Sequence, residues 1–284
     1  MTGHRVNSLR KKRKRGEILF SFFHVSCMIR RIAAGVVSKQ KINRKGKSIL
    51  KKEKPHFWEK IIPAWAIMPL LSILIVNGLV YWGSGLLTEN RIHYDFTTAL
   101  DRAVPLIPEF VWIYILAFPF WAASYILAAR RGKDWFYRFV ATDLTIHALC
   151  FVIFILVPTT NIRPEIAGDS FSEVILKLIY ALDGGKSPSN LFPSIHCYVS
   201  WLCWRGLKGA GEIPRGYQIF SLFAASLVII STQVLKQHYL ADAIGAIALV
   251  ELWWRFYAKG NRHHWVVRIF ERKKEMDNKM GDRL

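Results

Sequence analysis

An all-α integral membrane bundle of about six transmembrane helices is the fold this chain predicts, on three observations. Hydrophobic residues make up 52% of the 284. Several apolar runs approach the roughly 20 residues that cross a bilayer. Lys and Arg collect in alternate connections between those runs, the pattern that sets topology in membranes. The chain also holds 11 Trp, more apolar surface than a soluble core of this length can hide.

Residues 1–59 are expected to form a basic cytoplasmic segment. Residues 1 to 60 hold 18 Lys and Arg against three Glu, so much of the net charge of +20 lies in one tail. The clusters Arg10 to Arg15 and Lys39 to Lys54 read as juxtamembrane segments held by anionic lipid at roughly 1 kcal/mol per charge. No nucleic-acid partner is expected, because no recognisable nucleic-acid-binding pattern accompanies the charge. Ile18 to Ile29 is too short to span and is expected to lie in the interface. A signal peptide is the rival reading, opposed by Arg30-Arg31 and the lack of a clear A-x-A site.

The membrane domain is placed at 60–258, with spans over Ile61 to Tyr81, Phe110 to Ala129, Phe139 to Val157, Ser194 to Leu207, Tyr217 to Leu235 and Tyr239 to Tyr257. The fourth is the shortest, and Arg205 and Lys208 at its end are long enough to snorkel. Basic residues place Arg130 to Arg138, Arg205 to Arg215 and the tail 259–284 in the cytoplasm. Both termini are then cytoplasmic, and 84–109, 158–193 and the turn at Lys236 lie outside, most naturally at the plasma membrane.

Chemistry is expected where ionisable groups gather at span ends on one side, since membranes tolerate such groups at a cost. Three segments qualify: Asn161-Ile162-Arg163-Pro164, Pro193-Ser194-Ile195-His196, and Ser231 to Asp242. His238 and Asp242 are four residues apart, one helical turn, so the carboxylate can fix the imidazole tautomer and leave the other ring nitrogen free to attack phosphorus. His196, at the start of another span, can give a proton to a leaving alkoxide. Ser194 is positioned as an N-cap, where backbone N–H groups favour a phosphate. Arg163 and Lys236 are candidate clamps on nonbridging oxygens, with Ser231 on the same stretch.

These segments resemble the three signatures of the type 2 phosphatidic acid phosphatase superfamily, K-x6-R-P, P-S-G-H and S-R-x5-H-x3-D. The matching residues are Arg163-Pro164, Pro193-Ser194-x-His196 and Ser231-x6-His238-x3-Asp242, in the same order, within a core of about residues 110 to 257. The resemblance implies phosphohistidine formation at His238, orientation by Asp242, acid catalysis by His196 and no metal or other cofactor. Three positions depart from it: Leu156, Ile195 and Thr232 stand where the family has Lys, Gly and Arg. Lys236 and Lys186 are candidate replacements for the two missing cations. The weakened pattern is similar to the sphingomyelin synthase and inositol phosphorylceramide synthase branch, which transfers a phospho head group between lipids. Hydrolysis of a lipid phosphate ester, of phosphatidate or prenyl phosphate type, is the leading expectation. Head-group transfer follows it, and a non-catalytic lipid-binding or transport protein is the third possibility.

Several other features carry blander readings. Cys27, Cys150, Cys197 and Cys203 have neither CxxC spacing nor a framework, and read as small buried hydrophobes. His147 reads as a packed, hydrogen-bonded residue, and Glu251, near Trp253 and Trp254, as part of an interfacial anchor. Gly185-Lys186-Ser187 is not a phosphate-binding loop, because Tyr180 stands where that motif needs its first glycine.

Overall fold

A computed structural model describes residues 61–184 and 188–271. The basic N-terminal segment, the interfacial stretch at Ile18 to Ile29, Cys27, Lys186 and most of the C-terminal tail lie outside the described residues. What is described belongs to one compact unit.

Six long helices build the bundle: α1 (Ala64–Thr88), α3 (Val111–Ala129), α4 (Lys133–Leu156), α6 (Ile195–Leu207), α7 (Arg215–Val234) and α8 (Leu240–Ala258). Three short elements lie between them, α2 (Ala99–Ala103), α5 (Phe171–Leu182) and a pair of two-residue strands, β1 (Tyr94–Asp95) and β2 (Thr159–Thr160). A last helical stretch, α9, covers 264–271. By length and composition α1, α4, α7 and α3 with its leading turn from Pro108 can cross a bilayer. The other two are understandable exceptions. The 13 residues of α6 reach only ~20 Å at 1.5 Å per residue, and α8 carries Asp242, Glu251 and Arg255 within 19 residues.

Run length predicts the first span to end at Tyr81, yet α1 continues to Thr88 through a π-helical turn at Leu79–Gly83. Its polar residues are tied back to the helix. The Ser84 hydroxyl donates to the Val80 carbonyl, and Thr88 Oγ1 donates to the Ser84 carbonyl at 2.9 Å. Side chains that satisfy themselves on the preceding turn need not end a helix in an apolar surround. Likewise α4 begins at Lys133 rather than Phe139. Arg138 is therefore helical rather than a loop residue, its guanidinium donating to the Trp254 carbonyl at 3.1 Å and lying 4.3 Å from the Trp254 ring centroid.

The main core lies where α3, α4, α6 and α8 meet, around Phe136, Phe139, Phe154, Tyr198, Leu202 and Trp254. A buried polar set sits within it. His147 is 3.3 Å from Asp143 and 3.2 Å from Asn77 Oδ1, and the Tyr198 hydroxyl is 2.7 Å from the ring. His147 is thus the packed, bonded residue its position in an apolar run suggests. Cys150, Cys197 and Cys203 are buried and unpaired as disulfides, and Glu251 holds Arg205 at 3.0 Å and the Trp201 indole N–H at 3.1 Å.

Candidate active site

The turn between α7 and α8 carries the central residue. Val234 ends α7, Leu240 begins α8, and Lys236 adopts a left-handed backbone with φ of 52°. A non-glycine residue there must be held by its surroundings. The Thr232 carbonyl accepts from the backbone N–H of Gln237 at 2.9 Å and of His238 at 3.2 Å. Tyr180 on α5 donates its hydroxyl to the Leu235 carbonyl at 2.7 Å, and Asn161 Nδ2 donates to the Lys236 carbonyl at 3.0 Å. On the opposite flank α2 locks the start of α8: Asp101 Oδ1 accepts from Leu240 N at 2.7 Å. The turn presenting His238 is therefore gripped by α2, α5 and the 158–170 segment together.

His238 Nδ1 lies 3.0 Å from Asp242 Oδ2, and the same oxygen accepts from Tyr239 N at 3.0 Å. Asp242 is fully buried, while the His238 side chain keeps 9% of its surface. A carboxylate on Nδ1 holds the proton there and leaves Nε2 as the lone-pair nitrogen. The contact expected from the four-residue spacing is present, but not across a helical turn: His238 lies in the bend before α8, and Asp242 reaches back to it from the first turn of that helix.

His196 sits in the first turn of α6, with its ring centroid 6.1 Å from that of His238. Its Nε2 is buried and has no hydrogen-bond partner among the described residues. Three aromatics of α3 surround it. Tyr114 stacks on the ring at 4.6 Å, Trp121 is tilted at 5.3 Å, and Phe118 meets its edge at 6.3 Å. Trp121 is itself fixed by an indole N–H donated to Ser200 Oγ at 2.9 Å. Ser194 is the N-cap of α6, its hydroxyl accepting from Cys197 N at 3.2 Å. Its own N–H meets the Asp242 carbonyl at 3.4 Å, so α6 and α8 are joined at their starts.

The approach to Ser194 is equally fixed. Thr159 Oγ1 accepts from Leu191 N at 3.0 Å and Phe192 N at 2.9 Å. Phe192 in turn lies over Gly245 of α8, where an added Cβ would sit 2.7 Å from its ring. Gly245→Ala is expected to displace the ring, cost ~1–3 kcal/mol by overpacking, and lower activity; thermal unfolding in detergent beside an activity assay checks this.

Arg163 is buried and engages three partners. Its guanidinium donates to the Asp183 carbonyl at 2.9 Å, to Asp183 Oδ2 at 2.5 Å and to the Gln237 amide oxygen, and it lies 4.6 Å from the Tyr180 ring centroid. Gln237 is the residue before His238, so Arg163 reaches the His238 turn directly. Burial pulls Arg163 down to about 10, which still leaves it charged at neutral pH. Burial, offset only in part by the charge of His238, pushes the Asp183 carboxyl up to about 7.

Of the residues singled out from the sequence, the structure brings His238, Asp242, His196 and Ser194 together, with Arg163 one residue away. Lys236 is used differently: its ammonium donates to the carbonyls of Asp101, at 2.7 Å, and Val104. The Ser231 hydroxyl donates to Val228 in its own helix at 2.6 Å and is fully buried. Tyr114, Tyr180, Asp183, Gln237 and Asp101 escape sequence reasoning. Asp101 had a local signal in the capping box Thr98-x-x-Asp101 that starts α2, and Ser170-x-x-Glu173 likewise marks the start of α5, which carries Tyr180 and ends at Asp183.

A closely spaced histidine pair, one member in the first turn of α6 and the other just before α8 and held by a buried carboxylate, suits a membrane enzyme of phosphatase or phosphotransferase type. Residues 86–256 match the PAP2 superfamily, and the chain belongs to it. No curated protein sequence matches the chain significantly.

Proposed function

We propose that the chain hydrolyses a lipid phosphate ester, of phosphatidate or prenyl phosphate type, through a phosphohistidine on His238. The observation that carries this reading is the 3.0 Å contact between His238 Nδ1 and Asp242 beside the unpartnered Nε2 of His196. His238 Nε2 attacks phosphorus, the bond from phosphorus to the lipid oxygen breaks, and His196 gives its proton to the departing alkoxide. Water then attacks the phosphohistidine, His196 takes a proton from it, and inorganic phosphate leaves with His238 restored. The N–H groups at the start of α6 and the Arg163 guanidinium stabilise the nonbridging oxygens. No metal is needed for these steps, so turnover is expected to be unchanged by EDTA.

One observation favours a second reading, transfer of the phospho group to a lipid or alcohol acceptor. His196 lies beneath Tyr114, Trp121 and Phe118, an apolar cover suited to an alkyl-bearing hydroxyl. A panel of labelled lipid phosphates, assayed with and without EDTA, separates the readings. Acceptor-independent release of inorganic phosphate supports hydrolysis, whereas acceptor-dependent lipid product with little free phosphate overturns it in favour of transfer. Turnover surviving loss of both His196 and His238 points to a function unrelated to this pair, and lipid binding without turnover of any member of the panel favours the non-catalytic alternative.

Arg163→Lys keeps the charge but loses the planar fork that Asp183, Gln237 and substrate oxygens require. With charge-assisted hydrogen bonds worth ~1.5–3 kcal/mol, a fall of roughly 10- to 100-fold in kcat/KM is expected from steady-state kinetics. Basic loops support cytoplasmic termini, an extracytoplasmic site at the plasma membrane and contact of the basic tails with anionic lipid.

A further inference from the structure

We propose that Asp134, His263 and His264 form a binding site for a divalent transition metal of the zinc type, clipping the C-terminal stretch to the start of α4. One ligand atom from each of the three residues lies within 4.8 Å of the others. His263 Nε2 is already 2.7 Å from Asp134 Oδ1, and the two imidazole centroids are 5.3 Å apart. Imidazole and carboxylate are ordinary zinc donors, with bonds of ~2.0–2.2 Å. Asp134 and His264 are exposed, so small rotations of both close the set around an ion. Three protein ligands leave a fourth tetrahedral position for water.

The placement of His263 is the second observation. Its side chain is 4% exposed, and its Nε2 faces Asp134 at 2.7 Å, leaving Nδ1, on the other side of the ring, without a hydrogen-bond partner among the described residues. One nitrogen of a buried ring is thus turned toward an aspartate that is 82% exposed. An ion would take the place of the proton shared by that pair and gain His264 as well.

The surroundings suit a clip. Val266, two residues after the pair, is fully buried, and Glu271 at the end of α9 reaches back to Lys133 at 2.7 Å. Without the ion, the turn at 260–263 is tied to α4 by the His263–Asp134 contact, at the exposed edge. The 24 residues of α4 extend ~36 Å. Asp134 is at one end of that helix, while Thr159, just past the other, holds Phe192 beside the histidine pair. The proposed ion is thus a bundle length from His238, and its role is mechanical.

The test is titration of tag-free, full-length protein in detergent with Zn(II) and Co(II). One equivalent of zinc with micromolar affinity is expected, with visible Co(II) absorption of nitrogen and oxygen ligation. Because both residues are exposed, Asp134→Asn with His264→Ala is expected to preserve the fold and weaken binding at least ~10-fold. Failure to bind a stoichiometric ion, or binding unchanged in the double variant, overturns the proposal.

Discussion

His238→Ala is expected to abolish turnover, by at least ~10⁴-fold, because on the proposed mechanism it removes the atom that bonds to phosphorus. The substitution deletes a side chain that is only slightly exposed, but its backbone is fixed independently. Thr232 holds the His238 N–H, Tyr180 and Asn161 hold the preceding carbonyls, and Asp101 holds Leu240 N. The turn should therefore survive, and loss of activity would report chemistry rather than unfolding. The direct measurement is acid-labile label on the protein after incubation with a phosphate-labelled lipid. Wild type should take it up and His238→Ala should not. Labelling that persists in the variant would assign the nucleophile elsewhere.

Asp242→Asn is the second large effect, expected on the order of 10³- to 10⁴-fold in kcat, as for the aspartate of other oriented histidines. The amide has two ways to sit, and both fail. If its oxygen replaces Oδ2, it still accepts from His238 Nδ1 and Tyr239 N. Its NH2 group then occupies the place of Oδ1, which is buried without a partner among the described residues, at a cost of ~1–3 kcal/mol. The negative charge that would balance the phosphorylated ring is also gone. If the amide flips, NH2 faces Nδ1, and the ring must carry its proton on Nε2, the attacking atom. Rapid-quench measurement of phosphoenzyme formation, together with a melting curve, distinguishes lost chemistry from lost fold. A variant within tenfold of wild type would remove the orienting role from Asp242.

The bundle was legible because crossing a membrane leaves a plain mark, a long apolar run with basic flanks. It was less legible where function intrudes. Hydropathy alone undervalues α6, which is short, and α8, which carries three charges, yet apolar run length with its basic flanks marked both. The chemical set could be read because His238 and Asp242 are four residues apart and need no tertiary knowledge to be paired, although His238 lies in the turn before the helix that carries Asp242. Lys236 was read as a phosphate clamp, but its ammonium engages the carbonyls of Asp101 and Val104. Those partners lie over 130 residues away in the chain, at the end of the short helix α2, whose packing no periodicity reveals. The cover of Tyr114, Phe118 and Trp121 over His196 was hidden likewise, because in an all-apolar helix every face looks suitable for lipid.

The helix α5 has an asymmetric surface. Leu176 and Tyr180 are buried, whereas Phe171, Val174, Leu178 and Leu182 are exposed. At 12 residues it is too short to cross a bilayer, and a helix with one bare apolar face lies along the boundary between head groups and chains. Its far end supplies Asp183, which holds Arg163, and its buried face supplies Tyr180, which holds the His238 turn. On the proposed function, the helix acts as a float, setting the reaction centre at the depth where a lipid's phosphate resides. Thinning the bilayer, or replacing it with a small micelle, should disturb the guanidinium before it disturbs the two histidines.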